Sequence, residues 1–280
     1  MDTFKDKTVV ITGGSEGVGA ATARAFAAAG ANLMLVARGK RKLEAMSEEL
    51  REQTTVHIMA LDVADPDACA SLMKKTHFEF GSLHVLVNNA GFHQRGPVEK
   101  IGAEDLGKMV DVNLRAPIVL SRLAIPYIRD SGGGAIINVA SLAGRTPVPG
   151  AATYCATKAG LRVFTFALAE ELAESGIKLA TVSPGPIDTG FIMSNIDNVT
   201  DLTFSQPIST ADEVAAEILR LCTNDKRERS MPPVSGLLTT LTYLFPGLGR
   251  SMRPLLERRG RSVKRKLKLK MYEESKEKGT

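Results

Sequence analysis

The chain has 280 residues, 44% of them apolar and 24% charged, with a formal net charge of +5. That length lies at the upper end for one α/β unit and suffices to bury a sizeable core. Three scattered cysteines (Cys69, Cys155, Cys222) and four histidines (His57, His77, His84, His93) show neither disulfide-framework nor metal-ligand spacing; no metal is expected, and the thiols read as reduced.

The segment from Met1 to Lys7 leads straight into the first strand without an apolar signal segment, so a cytoplasmic location is expected. Thr8 to Thr12 is a β-branched run of the kind found in fully buried parallel strands. It leads into Gly13-Gly14-Ser15-Glu16-Gly17-Val18-Gly19, then an Ala-rich helix from about Ala20 to Ala29, stopped by Gly30. A second strand follows over Asn32 to Ala37. Glycines between strand and helix let the backbone approach a pyrophosphate, which the free N–H groups and dipole of the helix start then hold. A glycine cluster alone marks only a tight turn. Strand, turn, helix and strand in this order point to a nucleotide site. Gly13, Ser15, Glu16, Gly17, Val18 and Gly19 are its candidate contacts, spaced Gly-x-x-x-Gly-x-Gly rather than Gly-x-Gly-x-x-Gly.

The second strand ends at Ala37-Arg38, before Gly39-Lys40-Arg41-Lys42. A site preferring NAD places a carboxylate near this strand end for the adenosine 2′-hydroxyl. No carboxylate is available. Arg38 can fork onto a 2′-phosphate instead, with Lys40 or Arg41 adding charge. NADP(H) is therefore the expected cofactor, with NAD(H) as the alternative. Glu16 is the contrary detail: its carboxylate must meet water or a neighbouring cation.

Further apolar runs at Val56–Leu61, Val85–Val87, Ala135–Val139 and Ile177–Val182 alternate with helical patterns. They predict a Rossmann-type doubly wound parallel sheet in one domain, with a short seventh strand near Glu228 to Met231. Residues 1–225 are assigned to the dinucleotide-binding catalytic part and 226–280 to an extension of the same domain, apolar and then basic.

Tyr154 and Lys158 are four residues apart and Ser141 lies thirteen before Tyr154. On a helix the first two share a face. An ammonium beside a phenol favours the phenolate and lowers a pKa that is ordinarily about 10. Such a phenol can exchange a proton near neutral pH.

Together, Thr12-Gly13-x-x-x-Gly17-x-Gly19, Asn88-Asn89-Ala90-Gly91, Asn113, Ser141, Tyr154-x-x-x-Lys158 and Pro184-Gly185 resemble the short-chain dehydrogenase/reductase family over residues 8–190. The resemblance implies Asn113, Ser141, Tyr154 and Lys158 as the catalytic set. Ser141 would stabilise negative charge on the carbonyl oxygen, and Tyr154 would pass the proton. Lys158 would hold the nicotinamide ribose and depress the Tyr154 pKa, and Asn113 would hold a water linking Lys158 to solvent. It also implies cofactor contacts at Asp62 and Val63 (adenine), at Asn89, Ala90 and Gly91 (ribose), and at Pro184, Gly185, Ile187 and Thr189 (nicotinamide). The alternative for Asp62 is helix capping, which Asp65 could do better. The family commonly pairs through the helices carrying Asn113 and Tyr154, so a homodimer or homotetramer is implied.

Residues 190–209 are read as a substrate lid, with Phe191, Ile192, Met193, Ile196, Val199, Leu202 and Phe204 either facing substrate or packing on the protein. They suggest a lipophilic carbonyl or secondary alcohol (a long-chain keto-lipid, sphingoid or steroid-like compound). A 3-oxoacyl carrier-protein reductase is the alternative, and a non-catalytic NADP-binding protein a remote one. Beyond Arg229 the chain departs from the short relatives. Val234 to Leu248 is apolar but interrupted by Pro246, and Arg250 to Lys270 holds ten Lys/Arg against one Glu. Met252, Leu255, Leu256, Val263, Leu267 and Met271 recur at helical spacing around an interruption at Gly260. Residues 234–270 thus suggest either peripheral contact with an anionic membrane or a helix packed on the cleft or on a dimer partner. Basic charge confined to one tail is no nucleic-acid signature, so no nucleic-acid partner is expected.

Overall fold

Seven parallel strands form one sheet in the order β3-β2-β1-β4-β5-β6-β7. They are β1 (Thr8–Thr12), β2 (Asn32–Ala37), β3 (Val56–Ala60), β4 (Val85–Asn88), β5 (Gly134–Val139), β6 (Ile177–Pro184) and β7 (Glu228–Met231). This computed structural model describes residues 3–193 and 196–278, with side chains except at residues 193, 270 and 272–278. The inner strands β1 and β4 are buried throughout, whereas β3 and β7 at the two edges are only partly so. Continuous aliphatic runs on the inner strands follow from cover on both faces.

Alternate residues along each strand feed opposite layers. Val9, Ile11, Leu33 and Leu35 pack with Phe26, Leu43, Val214 and Ile218 on one face. Val10, Met34, Val36 and Leu86 pack with Leu72, Leu120 and Ile128 on the other. The covering helices are α1 (Gly17–Ala28), α2 (Lys40–Leu50), α3 (Pro66–Phe80), α4 (Ala103–Val110), α5 (Ala116–Asp130) and α6 (Ala152–Glu171). Next come α7 (Gly190–Met193), α8 (Ala211–Thr223), α9 (Pro233–Leu244) and α10 (Pro246–Lys278). β1 pairs with both β2 and β4, so connections leave to opposite sides there. In doubly wound sheets that reversal opens a crevice at the carboxyl ends of the strands.

Helix starts show what each end is for. Asp65 caps α3, accepting from Asp67 N and Ala68 N at 2.9 and 3.2 Å, with Pro66 following. Thr210 and Glu213 cap α8 reciprocally, at 3.1 and 2.8 Å. By contrast, no side chain caps α1. Its first N–H groups stay available for an anion.

Between α4 and α5 the helix widens into a π turn over Asp111–Arg115, placing Asn113 inside. The sequence reading held no sign of that widening.

The tail differs most from expectation. Pro246 does divide the apolar stretch, since α9 ends at Leu244 and Pro246 opens α10, but that helix runs on through Gly260. Gly260 is buried where α10 crosses the lid, and a Cβ there would stand 1.7 Å from the Asp201 carbonyl oxygen. Absence of a side chain allows this crossing. Val263 and Leu267 join Ile192, Ile196, Val199 and Phe204 in a third apolar cluster. Lys264 donates to Val199 O at 2.6 Å, Arg261 pairs with Asp201 at 3.2 Å, and Lys268 pairs with Asp197. Packing of α10 on the lid thus accounts for most of the lid's apolar residues. Met193 lies at a position whose side chain is outside the described residues, as do residues 194 and 195 entirely.

Candidate active site

A cleft of about 2170 Å³ opens over the carboxyl ends of the strands. Small-molecule pockets run to roughly 300–1,000 Å³, so this one has room for a dinucleotide together with a substrate. Its walls include Gly13, Ser15, Glu16, Gly17, Val18, Arg38, Asp62, Val63, Asn89, Ala90 and Gly91 at one end. Ser141, Tyr154, Lys158, Pro184, Gly185, Ile187 and Thr189 stand at the other. Gly19 and Asn113 are not in the wall.

Gly19 works from beneath. A Cβ there would fall 1.9 Å from Gly13 O, so the helix start can approach the turn only with glycine at this position. Thr12 Oγ1 accepts from the backbone N–H of both Asn89 and Ala90 at 3.0 Å, and the Asn89 amide donates to Thr12 O at 2.9 Å. These bonds tie the end of β4 to the glycine turn. Asp62 Oδ1 accepts from Ala64 N at 3.0 Å, shaping the bend before Asp65 rather than capping α3.

Glu16 finds the cation its position demanded: Lys42 Nζ donates to its carboxylate at 2.5 Å. Lys40 pairs loosely with Glu44, at 3.5 Å. Arg38 is exposed at the rim beside Gly39 and makes no ion pair among the described residues.

Asn113 sits behind the catalytic wall. Its Oδ1 accepts from Phe92 N at 2.9 Å and its Nδ2 donates to Phe92 O at 2.8 Å. The side chain is therefore occupied in fixing the loop after β4.

The Tyr154 electrostatics also correct the sequence reading. Tyr154 is half-buried in the wall of the cleft, and desolvation pushes its pKa up to about 12. A hydrogen bond with Ser141 and the charge of Arg95 pull in the other direction without prevailing. Lys158, 5% exposed, turns its ammonium to Val139 O at 2.8 Å and lies 5.8 Å from the centre of the Tyr154 ring. Burial brings its pKa down to about 8. The shared helical face is real, but desolvation outweighs the attraction of a cation aimed elsewhere.

His93, which follows Asn-Asn-Ala-Gly and reads in sequence as a loop residue or one lining the pocket mouth, stands in the wall, while Arg95 and Glu228 escaped the sequence reading. His93 stacks on Tyr154 with ring centres 4.2 Å apart and planes 12° apart. Burial pushes its pKa down to about 3, so the imidazole is neutral. Arg95 lies 5.4 Å from the Phe191 ring centre and donates to Phe191 O at 3.3 Å. Glu228 on β7 accepts from Arg145, Arg162 and Ser183, at 3.0, 2.9 and 2.9 Å respectively, and Arg145 reaches on to Gly236 O in α9. Local pattern carried no signal for Arg95 or Glu228, because each depends on contacts between distant segments. Cys155 turns its thiol towards Thr146 O, and burial holds it protonated. No group of three or more metal-ligating side chains occurs among the described residues.

An uncapped helix start, a glycine turn too tight for any Cβ at position 19, and a long cleft floored by fixed backbone fit a nicotinamide dinucleotide. The profile of the short chain dehydrogenase family matches residues 7–199, and the chain belongs to that family of NAD(P)-dependent oxidoreductases acting on CH–OH groups. An uncharacterized oxidoreductase of Staphylococcus saprophyticus is 35% identical over 210 residues, covering 74% of this chain and 83% of that protein. Levodione reductase superposes with a TM-score of 0.76 at 27% identity, covering 84% and 99% of the two chains. L-Sorbose reductase from Gluconobacter frateurii, complexed with NADPH and L-sorbose, gives 0.71 at 30% identity, covering 79% and 92%.

Proposed function

We propose that the protein is an NADP(H)-dependent carbonyl reductase in which Tyr154 delivers the proton and the substrate is lipophilic. The observation that supports this best is the convergence of Ser141, Tyr154 and Lys158 in one wall of the cleft. A dinucleotide bound along Gly13–Gly19, Arg38, Asp62–Val63, Asn89–Gly91 and Pro184–Thr189 supplies the hydride. Ser141 Oγ accepts from Ala143 N at 3.1 Å and donates to Pro184 O at 3.3 Å; turning that O–H from Pro184 to the carbonyl oxygen would stabilise the negative charge there. Tyr154 carries its proton throughout the neutral range and so is set to give it. Lys158, mostly charged at pH 7, offers an ammonium near the nicotinamide end. Arg38, exposed and without an ion-pair partner among the described residues, supports selection of the 2′-phosphate.

The case for a lipophilic substrate moves from the lid to α9. Val234, Leu238 and Tyr243 line the cleft mouth together with Phe191. Following NADPH consumption with ketones of increasing chain length tests this reading. Catalytic efficiency should climb with length; a flat or falling series would refute it.

A second reading concerns the surface around that mouth. α9 is inverted: Ser235, Gly236 and Thr239 face inward, while Leu237 and Leu244 are each 62% exposed. Phe245, Leu248 and Leu255 extend the apolar face, and Arg250, Arg258 and Arg259 flank it without carboxylate partners among the described residues. Apolar side chains ringed by cations suit peripheral contact with an anionic bilayer. No described helix is long and apolar enough to cross a membrane. Exposed Val110, Ile118 and Val163 on and beside the helices α4 to α6 support self-association there.

A further inference from the structure

Arg95 stands in the wall of the cleft as a cation with no counter-ion among the described residues. Its loop is held by Asn113 on Phe92 and by Gly96 N donating to Gly150 O at 3.0 Å. Arg145 and Arg162, also in the wall, both pair with the single carboxylate of Glu228, which leaves one positive charge over the cluster but gives each guanidinium an anionic partner. Arg95 has no carboxylate partner among the described residues; its contacts are the ring and carbonyl of Phe191. A guanidinium has five N–H donors, and one is used here. Beside it, the Nε2 of His93 is buried with no hydrogen-bond partner. Polar atoms removed from water without a partner are costly, and those that persist mark where a ligand supplies one. Both groups adjoin the proton donor, since His93 stacks on Tyr154 and Phe191 tilts towards it with ring centres 6.4 Å apart. The charge of Arg95 bears on both His93 and Tyr154.

We propose that this corner binds a carboxylate carried by the substrate near the carbonyl that is reduced, with Arg95 as the cation and neutral His93 as a hydrogen-bond partner. The proposal rests on Tyr154 as proton donor and deepens that reading: apolar mouth and cationic corner together select a keto acid with a hydrocarbon tail. Burial lowers the Arg95 pKa, as expected of a guanidinium lacking a partner. A carboxylate would restore the balance through a charge-assisted, bidentate contact.

The test compares a long-chain γ-keto acid with its methyl ester, which share carbonyl and tail, using the full-length protein and NADPH. Wild type should reduce the acid with kcat/KM about tenfold or more above the ester, mostly through KM. Arg95→Met should bring that ratio to about 1, and Arg95→Lys should restore part of it. NADPH affinity, read from its fluorescence, should be the same in all three. Equal efficiency on acid and ester in wild type overturns the proposal. So does an equal loss on both in Arg95→Met, which would make Arg95 only a latch for Phe191, or a weaker hold on NADPH. Calorimetric binding of dodecanoate and dodecanol to the NADP⁺-loaded protein separates this from the reductase reading. Tighter binding of the carboxylate that disappears in Arg95→Met supports the corner even without turnover, and no difference rejects it.

Discussion

The ammonium of Lys158 lies 5.8 Å from the centre of the Tyr154 ring and is bonded to the Val139 carbonyl rather than directed at the phenol. Two residues one helical turn apart share a face, yet the long side chain chooses a backbone acceptor on β5. The phenol therefore responds chiefly to its own desolvation and holds its proton.

A pH profile follows from that arrangement. Reduction uses the protonated phenol, which dominates below a pKa of about 12 and is lost only as pH rises through it. Alcohol oxidation uses the phenolate, so its rate should climb tenfold per pH unit, without levelling below about pH 9. Oxidation rates that level near pH 7 would show a cation acting strongly on the phenol after all.

Cofactor choice turns on one exposed side chain. Replacing Arg38 by Glu removes a fork for the 2′-phosphate and adds an acceptor for a 2′-hydroxyl. Charged hydrogen bonds contribute about 1.5–3 kcal/mol, so the kcat/KM preference for NADPH over NADH should fall by roughly 10–100-fold. An unchanged ratio would remove Arg38 from the site.

Much of this was legible in the residues. Six of the seven strands coincide with an apolar run, the short polar Glu228–Met231 being the exception, and the glycine turn falls between β1 and α1. Burial pattern and backbone freedom are local, and sequence records them. The direction of the Lys158 ammonium, the Glu228 cluster and the stack of His93 on Tyr154 join segments far apart, and no local pattern encodes them. Gly260 is the clearest misreading. Within a helical stripe a glycine reads as a break, although here it is where two segments touch.

That contact can be broken selectively. Gly260→Val would drive a side chain into the Asp201 carbonyl, and overpacking of this kind costs about 1–3 kcal/mol. The thermal midpoint should drop by several degrees, and limited proteolysis should begin within 190–209. A variant as stable and protease-resistant as wild type would mean that α10 does not clamp the lid.

The outward apolar face of α9 predicts a separate behaviour. Leu237→Asp with Leu244→Asp changes only exposed side chains, so the fold should persist. Co-sedimentation with phosphatidylserine-containing vesicles should fall several-fold, and wild-type pelleting should weaken with salt. Equal pelleting of both proteins, or none by wild type, would dismiss membrane contact through this face.

Removal of one oxygen atom probes the chemistry most directly. Tyr154→Phe keeps the ring that stacks on His93 and deletes the proton donor. NADPH titration by fluorescence, paired with turnover on whichever ketone wild type reduces best, should show binding within about twofold of wild type and a rate lower by at least a hundredfold. A variant that binds NADPH and still reduces the ketone at a comparable rate would contradict the account.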